Sequence, residues 1–189
     1  MKSFKQLRED VKEKNGIVFT FGRFQPPTQG HELVINKVVS LAKQHKYDNM
    51  IYASQSQDNK RNPLSWKDKR GFLVEMFPKA NISFASAIKN PFDVLTALYN
   101  ENYQNVIMIV GSDRVQEFKS AMKKYVKDFD SFKIISAGTR NNSSGVSGLS
   151  GSKMRAFVLK NDYISFSAGL PKSYRNGKKL FEKLQKELG

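Results

Sequence analysis

Histidine, arginine, serine and glycine recur in this chain at four places, each beside a segment that ends a strand or begins a helix. The first runs from Gly22 to His31 and reads Gly-Arg-Phe-Gln-Pro-Pro-Thr-Gln-Gly-His, directly after the apolar run Ile17 to Phe21. Gly22 admits a backbone conformation that residues with a Cβ avoid, and lets a ligand come close. Pro26 and Pro27 keep the following helix from starting early. His31 then falls in the first helical turn, where unpaired N–H groups and the positive end of the helix dipole favour an anion. An imidazole there can donate to a phosphate oxygen. A surface histidine beside a helix start is the competing reading.

The second cluster is Ser54-Gln55-Ser56-Gln57 followed by Asn62-Pro63-Leu64-Ser65, with Trp66, Lys67, Lys69 and Arg70 beyond. Ser65 reads as an N-cap, and Arg70, between one and two turns inside the helix, can point towards the end of a sheet. Trp66 reads first as core and second as a surface on which a base could stack. The third cluster, Val110-Gly111-Ser112-Asp113, again follows a strand-like run. Gly111 allows a close backbone approach, and Asp113 can accept from ribose hydroxyls or serve as an ordinary N-cap. The fourth is Gly148-Leu149-Ser150-Gly151-Ser152-Lys153-Met154-Arg155. Its hydroxyls and helix-start N–H groups make an anion nest, to which Arg155 adds a fork of donors for the β- and γ-phosphates of a nucleotide.

Elements that could hold these clusters together alternate along the chain. Strand-like runs lie at 16–21, 49–54, 81–85, 105–110 and 132–137, and helix-like runs at 31–45, 65–77, 91–101 and 114–127. Short apolar strands separated by helices predict an α/β fold: a doubly wound, Rossmann-like parallel sheet of about five strands, covered on both faces. Three clusters follow strands and the fourth opens a helix after the last strand. All four therefore fall on the carboxyl rim, where ligands bind such sheets. Residues 138–152 are rich in Gly, Ser, Asn and Thr, but the chain beyond residue 152 is too short for an ordinary second domain. The expectation is one domain over residues 1–189, with a core at 16–155 and C-terminal helices at 156–189.

Composition narrows the classes. A hydrophobic fraction of 39% with 14 Phe argues against disorder. The absence of cysteine excludes a disulfide framework and a thiolate metal site. Met1 to Asn15 lacks the apolar stretch of a signal peptide, and no run is long enough to cross a bilayer, so a cytoplasmic chain with no membrane partner is expected. The net charge of +15 fits a lysine-rich solvated surface, and equally attraction to nucleotides or nucleic acid. Lys172 to Glu187, six basic and two acidic residues around Leu180, Phe181 and Leu184, reads as a helix with an apolar stripe and a basic face.

Taken together, these residues resemble the nucleotidyltransferase superfamily marked by a histidine-x-glycine-histidine motif, and within it the archaeal-type nicotinamide mononucleotide adenylyltransferases. Gly22 to Pro26 matches that family's glycine-arginine-phenylalanine-glutamine-proline opening. Ser54 to Arg70 is similar to its second loop and helix, and Ser150 to Arg155 to its late serine-glycine-threonine-x-x-arginine motif. Leu170-Pro171 before a final helix is similar to its ending. Thr28 stands where that family usually has a histidine, and supplies a hydroxyl without a charge.

The resemblance implies adenylyl transfer from ATP, with Mg²⁺, to a phosphate-bearing acceptor such as nicotinamide mononucleotide. It implies catalytic roles for His31, Thr28 and Arg155, with His31 and Thr28 on the reacting phosphates. Nucleotide binding falls to Gly22, Arg23, Phe24, Gly30, Gly111, Asp113, Ser150 and Ser152, and substrate binding to Ser54, Trp66 and Arg70. No protein-bound metal is implied. Two alternatives stay open: cytidylyl or other cofactor- and sugar-phosphate transfer, and a non-catalytic nucleotide- or nucleic-acid-binding protein on the same fold. Association into a homo-oligomer is also open.

Overall fold

The computed structural model describes residues 14–138 and 149–189. Four parallel strands form its sheet: β1 (Lys14–Gly22), β2 (Asp48–Ala53), β3 (Tyr103–Val110) and β4 (Ser131–Ser136), in the order β2-β1-β3-β4. Helix α1 (Gln29–His45) joins β1 to β2. Helices α2 (Trp66–Met76) and α3 (Pro91–Asn100) lie between β2 and β3, and α4 (Val115–Ala121) precedes β4. Three helices close the chain: α5 (Gly151–Leu159), α6 (Tyr163–Ala168) and α7 (Gly177–Leu188).

Alternation along the strands explains why both faces are covered. On β1, Val18 packs with one apolar cluster while Ile17 and Phe19 pack with the other; on β3, Ile107 and Ile109 oppose Val106, Met108 and Val110. The first cluster draws in α1, α2 and α5 to α7, the second α3 and α4. This is the doubly wound, Rossmann-like arrangement expected from the strand pattern.

Two elements differ from the sequence expectation. The segment 81–85 is not a full strand: Ile82 makes a single parallel bridge to Ile51 on the outer edge of β2. Ser83 Oγ accepts from the Ala85 amide at 3.2 Å and turns the chain away, leaving Phe84 66% exposed. The run 114–127 is not one helix. It is a short 3₁₀ turn, α4, and a second 3₁₀ stretch at Lys123–Asp128, whose tighter winding carries Tyr125 to within 5.7 Å of the Phe92 ring.

The C-terminal helices hold the rim from one side. Leu180, Phe181 and Leu184 of α7 are buried, as their spacing predicts, although α7 starts at Gly177, later than the basic run suggested. Helix α6, which the sequence pattern does not announce, buries Phe166 against Phe181 (5.1 Å between ring centroids). The Gln29 amide donates to the Gly169 carbonyl at 3.0 Å, tying the start of α1 to the end of α6. The Gly/Ser-rich run 138–152 falls mostly outside the described residues.

Candidate functional site

The sheet opens where its winding reverses. Pairing of β1 with β2 continues to Gly22↔Ala53, and that of β3 with β4 to Val110↔Ser136, but β1 and β3 pair only as far as Phe19↔Met108. Beyond that point the two central strands part. The Thr20 hydroxyl, donating to the Ile109 carbonyl at 2.7 Å, is the last link across the gap. A cavity of about 1040 Å³ occupies the mouth of this crevice, lined from β1, the following turn, β3, α4 and the start of α5. It is the position at which a doubly wound sheet binds its ligand.

The turn after β1 is held from three directions. Phe24, at a left-handed φ of 49°, is buried and packs its ring 4.9 Å from the His31 imidazole. A Cβ on Gly22 would lie 2.8 Å from that ring. The space at Gly22 therefore serves Phe24 rather than a ligand, although Gly22 still lines the cavity. The Gln25 amide pairs with the backbone of Leu64 in both directions, at 2.9 and 3.0 Å, fixing the turn to the loop before α2. The Gln25 carbonyl accepts from Arg155 Nη1 at 2.6 Å. Helix α5 reaches it because residue 151 is glycine: a Cβ there would sit 2.8 Å from the same oxygen.

Thr28 is the N-cap of α1 and is 3% exposed. Its amide donates to His31 Nδ1 at 3.1 Å, and its hydroxyl lies 3.0 Å from the same nitrogen. An amide N–H can only donate, so Nδ1 accepts and a neutral His31 carries its hydrogen on Nε2. Thr28 thus orients the imidazole as well as lining the cavity.

Positive charge converges opposite. Arg23, Arg61 and Arg155 all line the cavity. Burial, then repulsion from Arg23 and from Arg61, lowers Arg155 from its ordinary guanidinium value, with Asp58 acting the other way. Ser150 caps α5 by accepting from the Lys153 amide at 3.3 Å, and Ser152 Oγ accepts from Arg155 Nη2 at 3.4 Å. On the far wall, Gly111 needs no special backbone angle (φ −61°), and the room beside it is filled by the Asp113 carboxylate, 2.7 Å from where a Cβ would stand. Arg114 is engaged by Glu117 at 2.7 and 3.1 Å.

The structure therefore gathers His31, Thr28, Arg155, Gly22, Arg23, Phe24, Gly111, Asp113, Ser150 and Ser152 around one cavity. It leaves out four other expected residues. Gly30 is buried in the first turn of α1. Ser54 is buried behind the rim, its amide on the Gly22 carbonyl at 2.8 Å. Trp66 is partly buried against the core. Arg70 is outside the cavity lining, with its guanidinium 4.3 Å from the Trp66 ring centre and 3.8 Å from that of Phe84, and its buried Nε lacks a hydrogen-bond partner among the described residues.

The inward cation on α2 is Lys69, fully buried, donating to the Ser54 carbonyl at 2.6 Å. Burial pushes its ammonium down to about 8. Its place was legible: residues 69, 72, 73 and 76 share one helical stripe, and the latter three are apolar. Arg61 was missed because nothing in its spacing marks it. The Asp58 carboxylate accepts from the Lys60 and Arg61 amides at 2.9 and 2.6 Å, shaping the turn that presents Arg61 at the cavity.

Comparison with known proteins bears on this geometry. The family model described as cytidylyltransferase-like matches residues 19–157, from the middle of β1 into α5. The chain belongs to the cytidylyltransferase-like family. That membership supports a nucleotidyltransferase and a nucleotide-binding site, and the matched stretch spans every wall of the crevice. No curated protein matches the chain. Among solved structures it is similar to the macrolide-efflux protein from Streptococcus pneumoniae, with a TM-score of 0.48 and 13% identity over 85% of this chain and 56% of that one. The chain thus spans little more than half the length of that protein.

Among the described residues, no helix is long and apolar enough to cross a membrane, and no group of three or more His, Cys, Asp or Glu could hold a metal ion.

Proposed function

We propose that the chain transfers AMP from ATP to a phosphate-bearing acceptor, with nicotinamide mononucleotide the first candidate. The observation that carries this reading is the convergence of Arg23, Arg61, Arg155 and the N-terminus of α5 on the crevice where His31 stands. Guanidinium forks and helix-start N–H groups suit a polyphosphate.

An acceptor phosphate oxygen attacks the α-phosphorus in line, the bond from that phosphorus to the bridging oxygen breaks, and pyrophosphate leaves. No protein nucleophile is needed, so the chain contributes position and charge. Arg155, with Arg23 and Arg61 beside it, meets the charge that grows on the leaving pyrophosphate. His31 donates from Nε2 to a reacting phosphate, and Thr28 holds the ring for it. Asp113 faces the ribose. Mg²⁺, where the nucleotide brings it, would be held through the phosphates and would neutralise their charge; among the described residues, Asp113 is the cavity-lining carboxylate that carries no ion pair.

The test is incubation with ATP, Mg²⁺ and nicotinamide mononucleotide, assaying pyrophosphate and the dinucleotide together. Pyrophosphate formed only with another acceptor keeps the class and rejects the acceptor. Cytidylyl transfer is the second reading, favoured by the family description, and replacement of ATP by CTP in the same assay separates the two.

A further inference from the structure

The basic charge of this chain is not evenly matched by acids. Among the described residues, Lys14 pairs with Glu101, Arg114 with Glu117, Lys179 with Glu75, and Lys183 with Asp68 and Glu187. The C-terminal helix, whose sequence suggested a basic face, therefore has part of that face neutralised. Lys119, Lys123, Lys124 and Lys127, all exposed, make no ion pair with any of the described residues. Lys124 and Lys127, three residues apart in the 3₁₀ stretch Lys123–Asp128, leave it on the same side. Nearby Glu117 is engaged by Arg114, and neither Asp128 nor Asp130 pairs with the ridge.

Aromatic surface accompanies the charge. Tyr125 stands within the ridge, with Lys124 Nζ 5.1 Å from its ring centre, and its other neighbour is Phe92, a wall of the cavity that is itself 37% exposed. Val126 beside it is 48% exposed. The shallow groove bounded by Ser120, Lys123, Lys124, Val126 and Lys127 shares Ala121 with the cavity and so adjoins it there.

We propose that the ridge from Lys119 to Lys127, with Tyr125 and Phe92, binds a single strand of nucleic acid along the mouth of the cavity. Three flexible point charges along the groove, Lys123, Lys124 and Lys127, with Lys119 nearby in sequence, suit a chain of phosphates better than one compact anion. The exposed ring of Phe92, with half-buried Tyr125 beside it, offers stacking that the bases of a single strand can use and those of a duplex cannot. The proposal does not depend on the transfer chemistry.

Fluorescence anisotropy of the full chain with a labelled oligothymidylate of roughly 20 nucleotides, longer than one such site, titrated at several NaCl concentrations, tests it. Two quadruple variants of equal charge are compared: K119Q/K123Q/K124Q/K127Q and, away from the ridge, K160Q/K172Q/K178Q/K186Q. The ridge variant is expected to lower the slope of log affinity against log salt by about 3, at roughly 0.7 per phosphate contact for single strands. The control is expected to lower it by less than 1, on the order of a single contact. Tyr125→Leu, which leaves every lysine in place, is expected to weaken binding roughly tenfold with the slope unchanged. Equal effects of the two quadruple variants would mean that total charge alone attracts the strand, and would overturn the proposal. So would tighter binding of a duplex of the same length, or no binding by the wild-type chain at low salt.

Discussion

At Nδ1, His31 accepts the Thr28 amide, which commits the proton of a neutral ring to the other nitrogen, and so a threonine and a histidine three residues apart act as one unit. Thr28→Val keeps the shape and the amide bond but loses the hydroxyl beside Nδ1. It is expected to lower turnover several-fold and to cost about 0.5–2 kcal/mol in urea unfolding, the usual loss when an N-cap hydroxyl is removed. Arg155 has a larger role in the proposed reaction. Arg155→Ala is expected to reduce pyrophosphate release by about 10²–10³, the usual loss when a donor to developing charge is removed. The side chain is partly exposed, so the melting temperature should move little; an equal collapse of fold and activity would refute the role. Gly151→Ala tests the approach of α5 instead. Its Cβ would press on the Gln25 carbonyl, and overpacking of this kind costs about 1–3 kcal/mol, readable from urea unfolding.

Among the elements, α2 holds the least expected residue. A buried ammonium without a carboxylate is destabilising, and Lys69 shows it by its downward shift to about 8. The unfolded chain keeps its lysine near 10.4, so between about pH 8 and that value the unfolded state binds more protons than the folded one, and stability rises with pH. The urea midpoint of the wild type should therefore climb from pH 7.5 to about 9.5, and that of Lys69→Met should not. Above about pH 10 the tyrosines act in the opposite sense: Tyr52, Tyr103 and Tyr174 are all held above their ordinary value, chiefly by burial. The same helix shows how an adjacent pair divides its work. Arg70 and Lys69 are adjacent, yet Arg70 packs against two rings and Lys69 is fully buried on Ser54, because successive helical positions differ by about 100°.

For the whole molecule, the C-terminal helices decide whether the crevice has a second wall. Helix α5 brings Arg155 to the Gln25 carbonyl, while α6 and α7 share one apolar cluster with β1 and α2. We propose that residues 14–189 unfold as one unit. Leu180→Ala, at a fully buried site of α7, is expected to cost about 2–5 kcal/mol and still give a single transition by both circular dichroism and tryptophan fluorescence. Two separated transitions would show a C-terminal unit that melts alone.

Local chemistry determined much of this protein. The near-continuous apolar runs of β1 and β3 demand cover on both faces, the helical stripe of α1 and Leu180, Phe181 and Leu184 in α7 each encode a face through spacing, and together they specify a doubly wound sheet. The clusters at 22–31, 111–113 and 150–155 were legible for the same reason, since each adjoins an element end that the sequence marks. Tertiary structure decided what depends on distances between remote segments. It set the parting of β1 from β3 after Phe19 and Met108, the seat of Gly151 against Gln25, and the arrival of Arg61 beside Arg23 and Arg155. It also chose Lys69 over Arg70 as the inward cation, and fixed which lysines meet an acid and which stand unpaired. Spacing specifies the direction in which a side chain leaves its own element; only the packed fold specifies what lies there to receive it.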